Sequence, residues 1–397
     1  MNSKKPIIIT AVVMFIMTTA FYLTPLGSGM YSGIKMLSGD LSFEDKMSRM
    51  SSLMEKYYMN EYDEEKMQDL AMSAYAAGAE DPYTNYINAE NYTAMLESMG
   101  SDYLGIGVEV SVADGTMTIM SVFENSPAQK VGLQIGDKIV AVEGEPSDAT
   151  NYQQAINTIK GVDAAEGDND VLITILRGEE QFDLTITREQ VALDTVNSKM
   201  LEGNIAYLHI SDFGEKTFDE YTKHLAKLEA SDPKGLIIDL RNNPGGMLTT
   251  VVSIADTLLP QGNILTIRDK KGNETPYVSD EKRIELPVVV LINQNSASAS
   301  EVLAGAMRDY EAATLVGTKS YGKGVVQSLI EFGDGSAFKL TTAKYYTPSG
   351  ECIDGKGIEP HVKVELAEQY RELPVNAIEY ENDAQLKAAV QILKEKL

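Results

Sequence analysis

The sequence is poor in cysteine, histidine and tryptophan. Its 397 residues include one cysteine, Cys352, three histidines and no tryptophan. A single cysteine cannot form a disulfide within the chain, and so few thiol and imidazole groups give no basis for a zinc cluster. We therefore predict no structural disulfide, no metal site and no bound cofactor.

Basic residues are scarce relative to acidic ones. The chain has 34 Lys and Arg against 59 Asp and Glu, a net charge of −25. A charge of this sign repels phosphate backbones, so we expect no nucleic-acid partner. The hydrophobic fraction of 43% is typical of a globular protein, and the length is sufficient for several domains.

Long apolar runs are also rare, and one of membrane length stands out. It is PIIITAVVMFIMTTAFYL, residues 6–23, which at about 1.5 Å per residue nearly spans a bilayer core of about 30 Å. Residues 1–39 contain three lysines and no acidic residue, which leaves 31 basic and 59 acidic residues, a net charge of −28, for the rest. This asymmetry predicts a single-pass membrane anchor with a linker over 1–39, and a chain that otherwise lies outside the cytoplasm. A cleaved signal peptide, which would give a secreted protein, and a buried core helix are the alternatives.

Residues 40–100 have the apolar spacing of helices, with methionine and leucine recurring in FEDKMSRMSSLMEKYYM and EEKMQDLAMSAYAAGAE. Methionine-rich helix faces suit adaptable contacts with another surface. Contacts with a second subunit and packing within one chain both remain open. The sequence Asp81-Pro82-Tyr83-Thr84 interrupts the pattern before a further short helix.

Residues 101–190 alternate short strands with glycine-containing turns and two helical stretches, which predicts a five-stranded, partly open barrel. Glycines in the loop Leu104-Gly105-Ile106-Gly107 let successive N–H groups turn toward a carboxylate, and the next strand offers an edge to an added peptide strand. Ser126-Pro127-Ala128, Gly132-Leu133 and Gly136-Asp137 follow it. Together these motifs resemble a PDZ domain, which implies that the loop binds a peptide's terminal carboxylate.

Residues 191–365 alternate strands and helices. The runs KGLIIDL and PVVVLIN lack polar alternation, which is typical of sheet interiors covered by helices on both faces. Sites in such sheets form beyond the carboxyl ends of the strands. Residues 366–397 are acidic and end in the amphipathic sequence DAQLKAAVQILKEKL, a packing or dimer element. The predicted fold class is thus α+β and α/β in several domains.

Three loops of this segment carry candidate catalytic or anion-binding residues. The sequence Arg241-Asn242-Asn243-Pro244-Gly245-Gly246 can present backbone N–H groups to an anion, or can be only a tight turn. Residues 294–301, QNSASASE, can raise a serine at a helix N-terminus, although Ser298 and Glu301 also have the spacing of a capping box. Residues 320–327, SYGKGVVQ, place Lys323 between glycines, where a solvated turn residue is the ordinary interpretation.

Taken together, the three loops resemble those of the C-terminal processing peptidases, or tail-specific proteases, which are Ser-Lys endopeptidases with a PDZ domain. The resemblance rests on NSASASE followed by GKGVVQ, and it extends from about residue 40 to 365. It implies a crotonase-like α/β protease core over 191–365 and a homodimer formed through the helical region 40–100 and the C-terminal tail. It also implies that substrates are proteins or peptides with free C-termini and that PDZ docking gates cleavage.

The resemblance assigns roles to individual residues. Ser298 is the implied nucleophile, Lys323 the general base and Gln327 the residue that orients the lysine, whereas spacing alone leaves Ser296 and Ser300 open. The histidines, His209, His224 and His361, lie outside these loops, so a Ser-His-Asp triad has no evident base.

Backbone N–H groups of Gly246 and Ala299 are the candidates for an oxyanion hole, with Glu301 as possible support. Two alternatives are a non-catalytic PDZ scaffold or adaptor and a retinoid-binding or ketone-handling protein on the related crotonase-like fold.

Overall fold

The computed structural model describes residues 41–99, 102–113, 116–123, 125–148, 150–162, 164–165, 167–192, 194–281, 283–371 and 373–397. The predicted membrane segment, 6–23, lies outside these residues. Within them, no helix combines the length and the apolar character needed to cross a membrane. The chain divides into two units between Gln68 and Asp69.

The N-terminal region is helical, as its spacing predicts. Its elements are α1 (Phe43–Tyr57), α2 (Glu64–Ala77), strand β1 (Asn85–Ile87) and α3 (Ala89–Met99). Ser42 caps the N-terminus of α1: its hydroxyl accepts a hydrogen bond from the Asp45 amide, and the Asp45 carboxylate accepts one from the Ser42 amide. Strand β1, which the sequence analysis missed, follows the Asp-Pro-Tyr-Thr interruption.

The PDZ-like segment consists of β2 (Asp102–Gly105), β3 (Val108–Ala113), β4 (Thr116–Val122), α4 (Pro127–Lys130), β5 (Lys138–Val142), β6 (Glu145–Pro146), α5 (Tyr152–Lys160), β7 (Asp170–Arg177), β8 (Glu180–Thr187) and β9 (Glu189–Ala192). The sheet order is β3-β4-β5-β7-β8, with β6 beside β5, and β2 pairs separately with β9. Isoleucine and valine side chains from its strands form one buried cluster.

A sharp turn separates the first two strands of this segment. The run YLGIGVEVSV divides at Ile106-Gly107, because Gly107 has a φ of +80° and the Ile106 carbonyl accepts from the Ala128 amide instead of from a neighbouring strand. A loop therefore joins β2 to β3, at the position where the glycine motif predicts one.

The C-terminal segment contains two sheets and the helices that connect their strands. Its elements are β10 (Val196–Leu201), β11 (Ile205–Ile210), α6 (Thr217–Glu229), β12 (Gly235–Asp239), α7 (Leu248–Leu258), β13 (Gly262–Asp269), β14 (Glu274–Ser279), β15 (Val288–Ile292), α8 (Ala299–Asp309), β16 (Ala313–Gly317), β17 (Val325–Glu331), β18 (Ala337–Tyr346), β19 (Val362–Lys363) and α9 (Ala384–Lys396). The main sheet has the order β10-β11-β12-β15-β16-β19 and is parallel from β11 onward.

Helices cover the main sheet on both faces, as the apolar runs predict. Side chains of α6, α7 and α8 pack on one face. Leu386, Ala389, Val390 and Leu393 of α9 pack on the other, against Ile237 and Leu291. The amphipathic C-terminal sequence thus packs within its own chain.

Two features of the sheets position the candidate loops. Strands β12 and β15 are parallel neighbours, so the loops that follow Asp239 and Ile292 leave the sheet at the same edge. A second sheet, in which β18 pairs with β1, β13 and β17, carries the lysine loop at the start of β17.

Candidate active site

Ser298 lies at the N-terminus of α8 in a strained backbone conformation. Its φ and ψ are 55° and −114°, a region that non-glycine residues seldom occupy and that costs on the order of 1–3 kcal/mol. The side chain is partly exposed, whereas most of α8 behind it is buried. This turn presents one serine at the positive end of a helix, where developing negative charge is stabilised.

The other two serines of the turn have different surroundings. Ser296 and Ser300 are both 0% exposed. The Ser296 hydroxyl donates to the Leu240 carbonyl at 2.7 Å, and the Ser300 hydroxyl donates to the Asn243 carbonyl at 3.0 Å. Their hydroxyls therefore fix the turn to the loop after β12, and Ser298 is the one that a substrate can reach.

The glycine loop after β12 lies directly against this turn. A Cβ on Gly245, whose φ is +115°, would approach the Ser298 Cβ to 2.8 Å, and one on Gly246, whose φ is +132°, would approach the Phe213 carbonyl oxygen to 2.6 Å. Only glycine allows both approaches. Bonds from Phe213 N–H to the Gly245 carbonyl and from Met247 N–H to the Phe213 carbonyl hold the loop extended.

Two backbone N–H groups remain available at this junction. Among the described residues, the amides of Gly246 and Ala299 donate to no backbone or side-chain acceptor, whereas the Gly245 amide donates to the Asn243 side chain at 2.8 Å. Two unsatisfied donors beside a partly exposed serine are the donor set that an oxyanion hole requires.

Glu301 joins the serine turn to the lysine loop. The carboxylate is 0% exposed and accepts four hydrogen bonds. Oε2 accepts the backbone N–H groups of Ser298, at 3.0 Å, and Lys323, at 2.8 Å. Oε1 accepts the Gly322 amide at 2.7 Å and the Ser320 hydroxyl at 2.6 Å. The capping interpretation of Glu301 is thus correct in part, but the same carboxylate also brings Lys323 beside Ser298.

Tyr345 of β18 makes a second link between the two loops. Its hydroxyl donates to the carbonyl oxygen of Ser298 at 3.1 Å and to that of Lys323. Burial raises the pKa of Tyr345 well above its usual value, with the nearby Glu301 carboxylate adding to the effect. The tyrosine therefore stays a neutral hydrogen-bond donor.

The Lys323 side chain is about half buried. Desolvation lowers the pKa of its amine, the positive charge of Lys339 lowers it further, and Glu301 opposes both. The amine lies 5.1 Å from the centroid of the Tyr83 ring. Among the described residues it forms no salt bridge and no hydrogen bond with Ser298 or Gln327.

Gln327 points elsewhere in this conformation. It lies on β17 beside a register shift between Val326 and Gln327, and its Nε2 donates weakly to the Val325 carbonyl at 3.5 Å. The structure thus brings the backbones of Ser298 and Lys323 together but does not place the glutamine amide on the lysine amine.

A buried ionic network, which the sequence analysis missed, holds the start of the glycine loop. Arg241 is 1% exposed and contacts Asp239, at 2.6 Å, and Asp383 beside α9, at 2.8 Å. Burial acts to raise the pKa of Asp239, but the charge and hydrogen bonds of Arg241, together with His209 and Tyr207, outweigh it and the net direction is downward. The spacing of Asp239 and Arg241 at the end of a strand is the signal that could have identified this pair, whereas Asp383 lies far along the chain and has no such signal.

Asparagines at the ends of β12 and β15 form a further link. The side-chain oxygen of Asn242 accepts from the side-chain amides of Asn293, at 2.7 Å, and Asn295, at 3.0 Å. The backbone N–H of Asn242 donates to the side-chain oxygen of Asn293. The Asn243 carbonyl accepts the Ala297 amide at 3.0 Å. These polar residues stand in the RNNPGG and NQNS sequences, and their abundance beside two buried strands is the signal that could have identified them.

Of the four residues predicted to bind a carboxylate, Leu104 and Gly105 end β2, and Ile106 and Gly107 form the turn that follows. A Cβ on Gly107 would approach the Ser126 Cβ to 2.3 Å, so glycine is required there. Ile106 is 1% exposed and Leu104 is 37% exposed. Strand β3, which follows, is an edge strand of the described sheet, so one of its sides is open to a further strand.

Comparison with known proteins agrees with this architecture. The family model described as Peptidase family S41 matches residues 204–364, and the PDZ domain model matches residues 105–187. The chain is 34% identical over 371 residues to the carboxy-terminal processing protease CtpA of Bacillus subtilis, covering 93% of this chain and 78% of that protein. It is 36% identical over 306 residues to the carboxy-terminal-processing protease of Bartonella bacilliformis, covering 73% and 68%.

A solved structure from Bacteroides fragilis, described as an S41 protease, shares the fold. Its TM-score is 0.57 at 16% identity, and the match covers 86% of this chain and 93% of that one. The family expected from the sequence motifs is confirmed by these matches. The chain therefore belongs to the carboxy-terminal processing proteases, the serine proteases of peptidase family S41 that carry a PDZ domain.

Proposed function

We propose that this protease cleaves peptide bonds with Ser298 as nucleophile and Lys323 as general base. The observation that carries the proposal is that one oxygen of Glu301 accepts the N–H groups of both residues. A serine hydroxyl needs a base to become nucleophilic. Lys323 suits that role because it is half buried and burial lowers the pKa of its amine.

The reaction steps follow from this arrangement. The neutral Lys323 amine takes the Ser298 hydroxyl proton as Oγ attacks the peptide carbonyl carbon. The carbonyl oxygen becomes an oxyanion that the Gly246 and Ala299 amides stabilise. Lys323 then returns the proton to the amine of the leaving peptide. In the second half, the Lys323 amine takes a proton from water as the water oxygen attacks the acyl carbon; the bond to Ser298 Oγ breaks, and Lys323 gives the proton back to Oγ. Gln327 would orient the amine once the lysine leaves the Tyr83 ring, since a neutral amide does not stabilise the ammonium as a carboxylate would.

The PDZ segment supplies the recognition step of the proposal. Its loop from Leu104 to Gly107 would hold a substrate's terminal carboxylate, and the open edge of β3 would pair with the peptide backbone. Docking there would raise the activity of the protease core. The substrates are then proteins or peptides with free C-termini.

The experiment compares the wild-type protein with Ser298→Ala and Lys323→Ala on an unfolded protein substrate. Ser298→Ala is expected to abolish cleavage, and Lys323→Ala to lower kcat/KM by about 10²–10⁴-fold. Ser253→Ala and Lys227→Ala, which change a serine of α7 and an exposed lysine of α6, serve as matched controls. Cleavage by both site variants at the wild-type rate would show the proposal to be wrong.

A second arm isolates the PDZ role. Peptides of one sequence with a free or an amidated C-terminus differ only in the charge that the loop from Leu104 to Gly107 would bind. We expect a lower kcat/KM for the amidated peptide. Equal values of kcat/KM for the two peptides would rule out recognition of the terminal carboxylate while leaving the proposed dyad intact.

Attachment to the membrane and self-association complete the proposal. The apolar run 6–23 would anchor the chain with its protease segment outside the cytoplasm, and alkaline extraction of membranes tests this. Exposed apolar side chains of α1, among them Met50, Leu53 and Tyr57, support a homodimer through the helical region. Mass measurement of the detergent-solubilised chain distinguishes a dimer from a monomer.

A further inference from the structure

Tyr83 is the aromatic residue against which the candidate base rests. The Lys323 amine lies 5.1 Å from the centroid of its ring. Such a distance is within the range in which the negative face of an aromatic ring attracts a cation. Tyr83 belongs to neither the serine turn nor the lysine loop, and the proposed reaction gives it no role.

Local hydrogen bonds fix the backbone that carries this ring. Asp81 accepts the Tyr83 amide at 3.0 Å and the Thr84 hydroxyl at 2.7 Å. The Thr84 hydroxyl in turn accepts the Thr341 amide of β18 at 3.1 Å, and β1 continues the pairing with that strand. Because β18 also carries Tyr345, which contacts both candidate loops, the Tyr83 ring has a defined place relative to Lys323.

Among the described residues, no carboxylate forms a salt bridge with the Lys323 amine, and the Tyr83 ring is the group that the amine contacts. Both oxygens of Glu301 already accept two donors each. Asp354 is paired with Lys344 at 2.9 Å, and Lys339 repels the amine. Burial raises the pKa of Tyr83 to about 12, with the nearby Tyr321, Asp354 and Glu301 adding to the effect, so the ring carries a neutral hydroxyl.

On the assignment of Lys323 as general base, we propose that Tyr83 is a positioning residue whose ring face holds the Lys323 ammonium away from Ser298 in the resting site. The amine reaches Ser298 only by leaving the ring. Since the ring stabilises the charged form, it opposes the loss of the proton that the reaction requires. Tyr83 thereby raises the pH at which the base becomes active.

The test is the pH dependence of kcat/KM, whose acid limb reports the base of the unbound enzyme. Tyr83→Leu keeps apolar bulk but removes the ring, so the acid limb is expected to move to lower pH by about 0.4–1.5 units. Tyr83→Phe keeps the ring face and is expected to leave the limb in place. Tyr86→Leu, a matched loss of a partly buried tyrosine in the same segment, should also leave it in place.

A second measurement does not depend on catalysis and nearly preserves the shape of the side chain at position 83. Phenylalanine with one, two or three fluorine atoms at position 83 withdraws electron density from the ring stepwise. The Lys323 amine is titrated by NMR in Ser298→Ala protein carrying each ring. A progressive fall of the lysine pKa with fluorination supports the proposal.

An unchanged lysine pKa across the fluorinated series overturns the role of Tyr83, as does an acid limb that Tyr83→Leu does not move. Persistent cleavage by Lys323→Ala would instead overturn the general-base assignment. In that case the NMR titration still decides whether the ring holds the ammonium, so the two failures are distinguishable.

Discussion

Glu301→Gln is the substitution that tests most directly how the site is assembled. The side chain keeps its size, but one of its two acceptor oxygens becomes an NH2 group. Each oxygen of the wild-type carboxylate accepts two donors, so the new NH2 must face N–H or O–H groups whichever way the amide turns. The Ser320 hydroxyl already accepts the Ile358 amide, at 2.6 Å, and is poorly placed to accept from the glutamine as well.

The magnitude follows from these contacts. At least one buried backbone N–H loses its acceptor, which costs about 1–3 kcal/mol, and the two bonds that survive weaken by about 1 kcal/mol each because their acceptor is no longer charged. Removing a buried charge returns part of this loss. We therefore expect the free energy of unfolding to fall by about 2–4 kcal/mol.

Urea unfolding followed by circular dichroism measures this change. The matched control is Glu229→Gln, an exposed glutamate at the end of α6, for which we expect a change within about 0.5 kcal/mol. Unfolding free energies of Glu301→Gln and Glu229→Gln that agree within error would refute the reasoning. The activity of Glu301→Gln should fall as well, since the turn and the lysine loop lose their shared anchor.

Three further substitutions test other parts of the site and its surroundings. Gly245→Ala forces a Cβ against the candidate nucleophile and should lower kcat strongly, whereas Gly272→Ala, also at positive φ but with open space around it, should leave peptide cleavage unchanged. Asp383→Ala leaves the buried Arg241 guanidinium short of a partner and should lower the unfolding free energy by about 3–5 kcal/mol in urea titration. Burial raises the pKa of Asp212 from 3.8 to about 6, so between about pH 4 and 6 the folded state keeps a proton on this carboxyl that the unfolded state has lost. The contribution of Asp212 to stability is therefore lost as the pH rises through this range. Asp212→Asn should therefore stabilise the protein more at pH 7 than at pH 4, and a constant difference would contradict the burial argument.

The sequence predicted those parts of the fold that depend on local pattern. KGLIIDL and PVVVLIN became buried parallel strands, because a strand covered on both faces needs apolar side chains in both directions. Strands β1, β10 and β14 were missed, since their pairing depends on partners far along the chain and their own residues are largely polar or exposed.

The site was predictable in its residue types and less so in its contacts. Serine, glycine and lysine motifs stood at strand ends, where parallel-sheet geometry brings loops together. The contributions of Tyr83 and Asp383 were not foreseen, because each comes from another segment and contacts the site only after the chain has folded. Glu301 was expected as a cap, and sequence spacing could not show that its second task is to bind the lysine loop.

The charge of Glu301 opposes the loss of the proton that Lys323 must give up to act as a base. A carboxylate beside an amine favours the ammonium, and Glu301 does raise the pKa of Lys323, although desolvation has the larger effect and the net direction is downward. The four donors that hold the carboxylate disperse its charge and keep it on the backbone of the lysine loop instead of on the amine. Glu301→Gln should thus have two separable effects: a lower kcat from the loosened loops and an acid limb moved to lower pH by the lost charge. If the limb moved to higher pH instead, water would have entered around Lys323, and the anchoring carboxylate would then matter chiefly for keeping the amine dry.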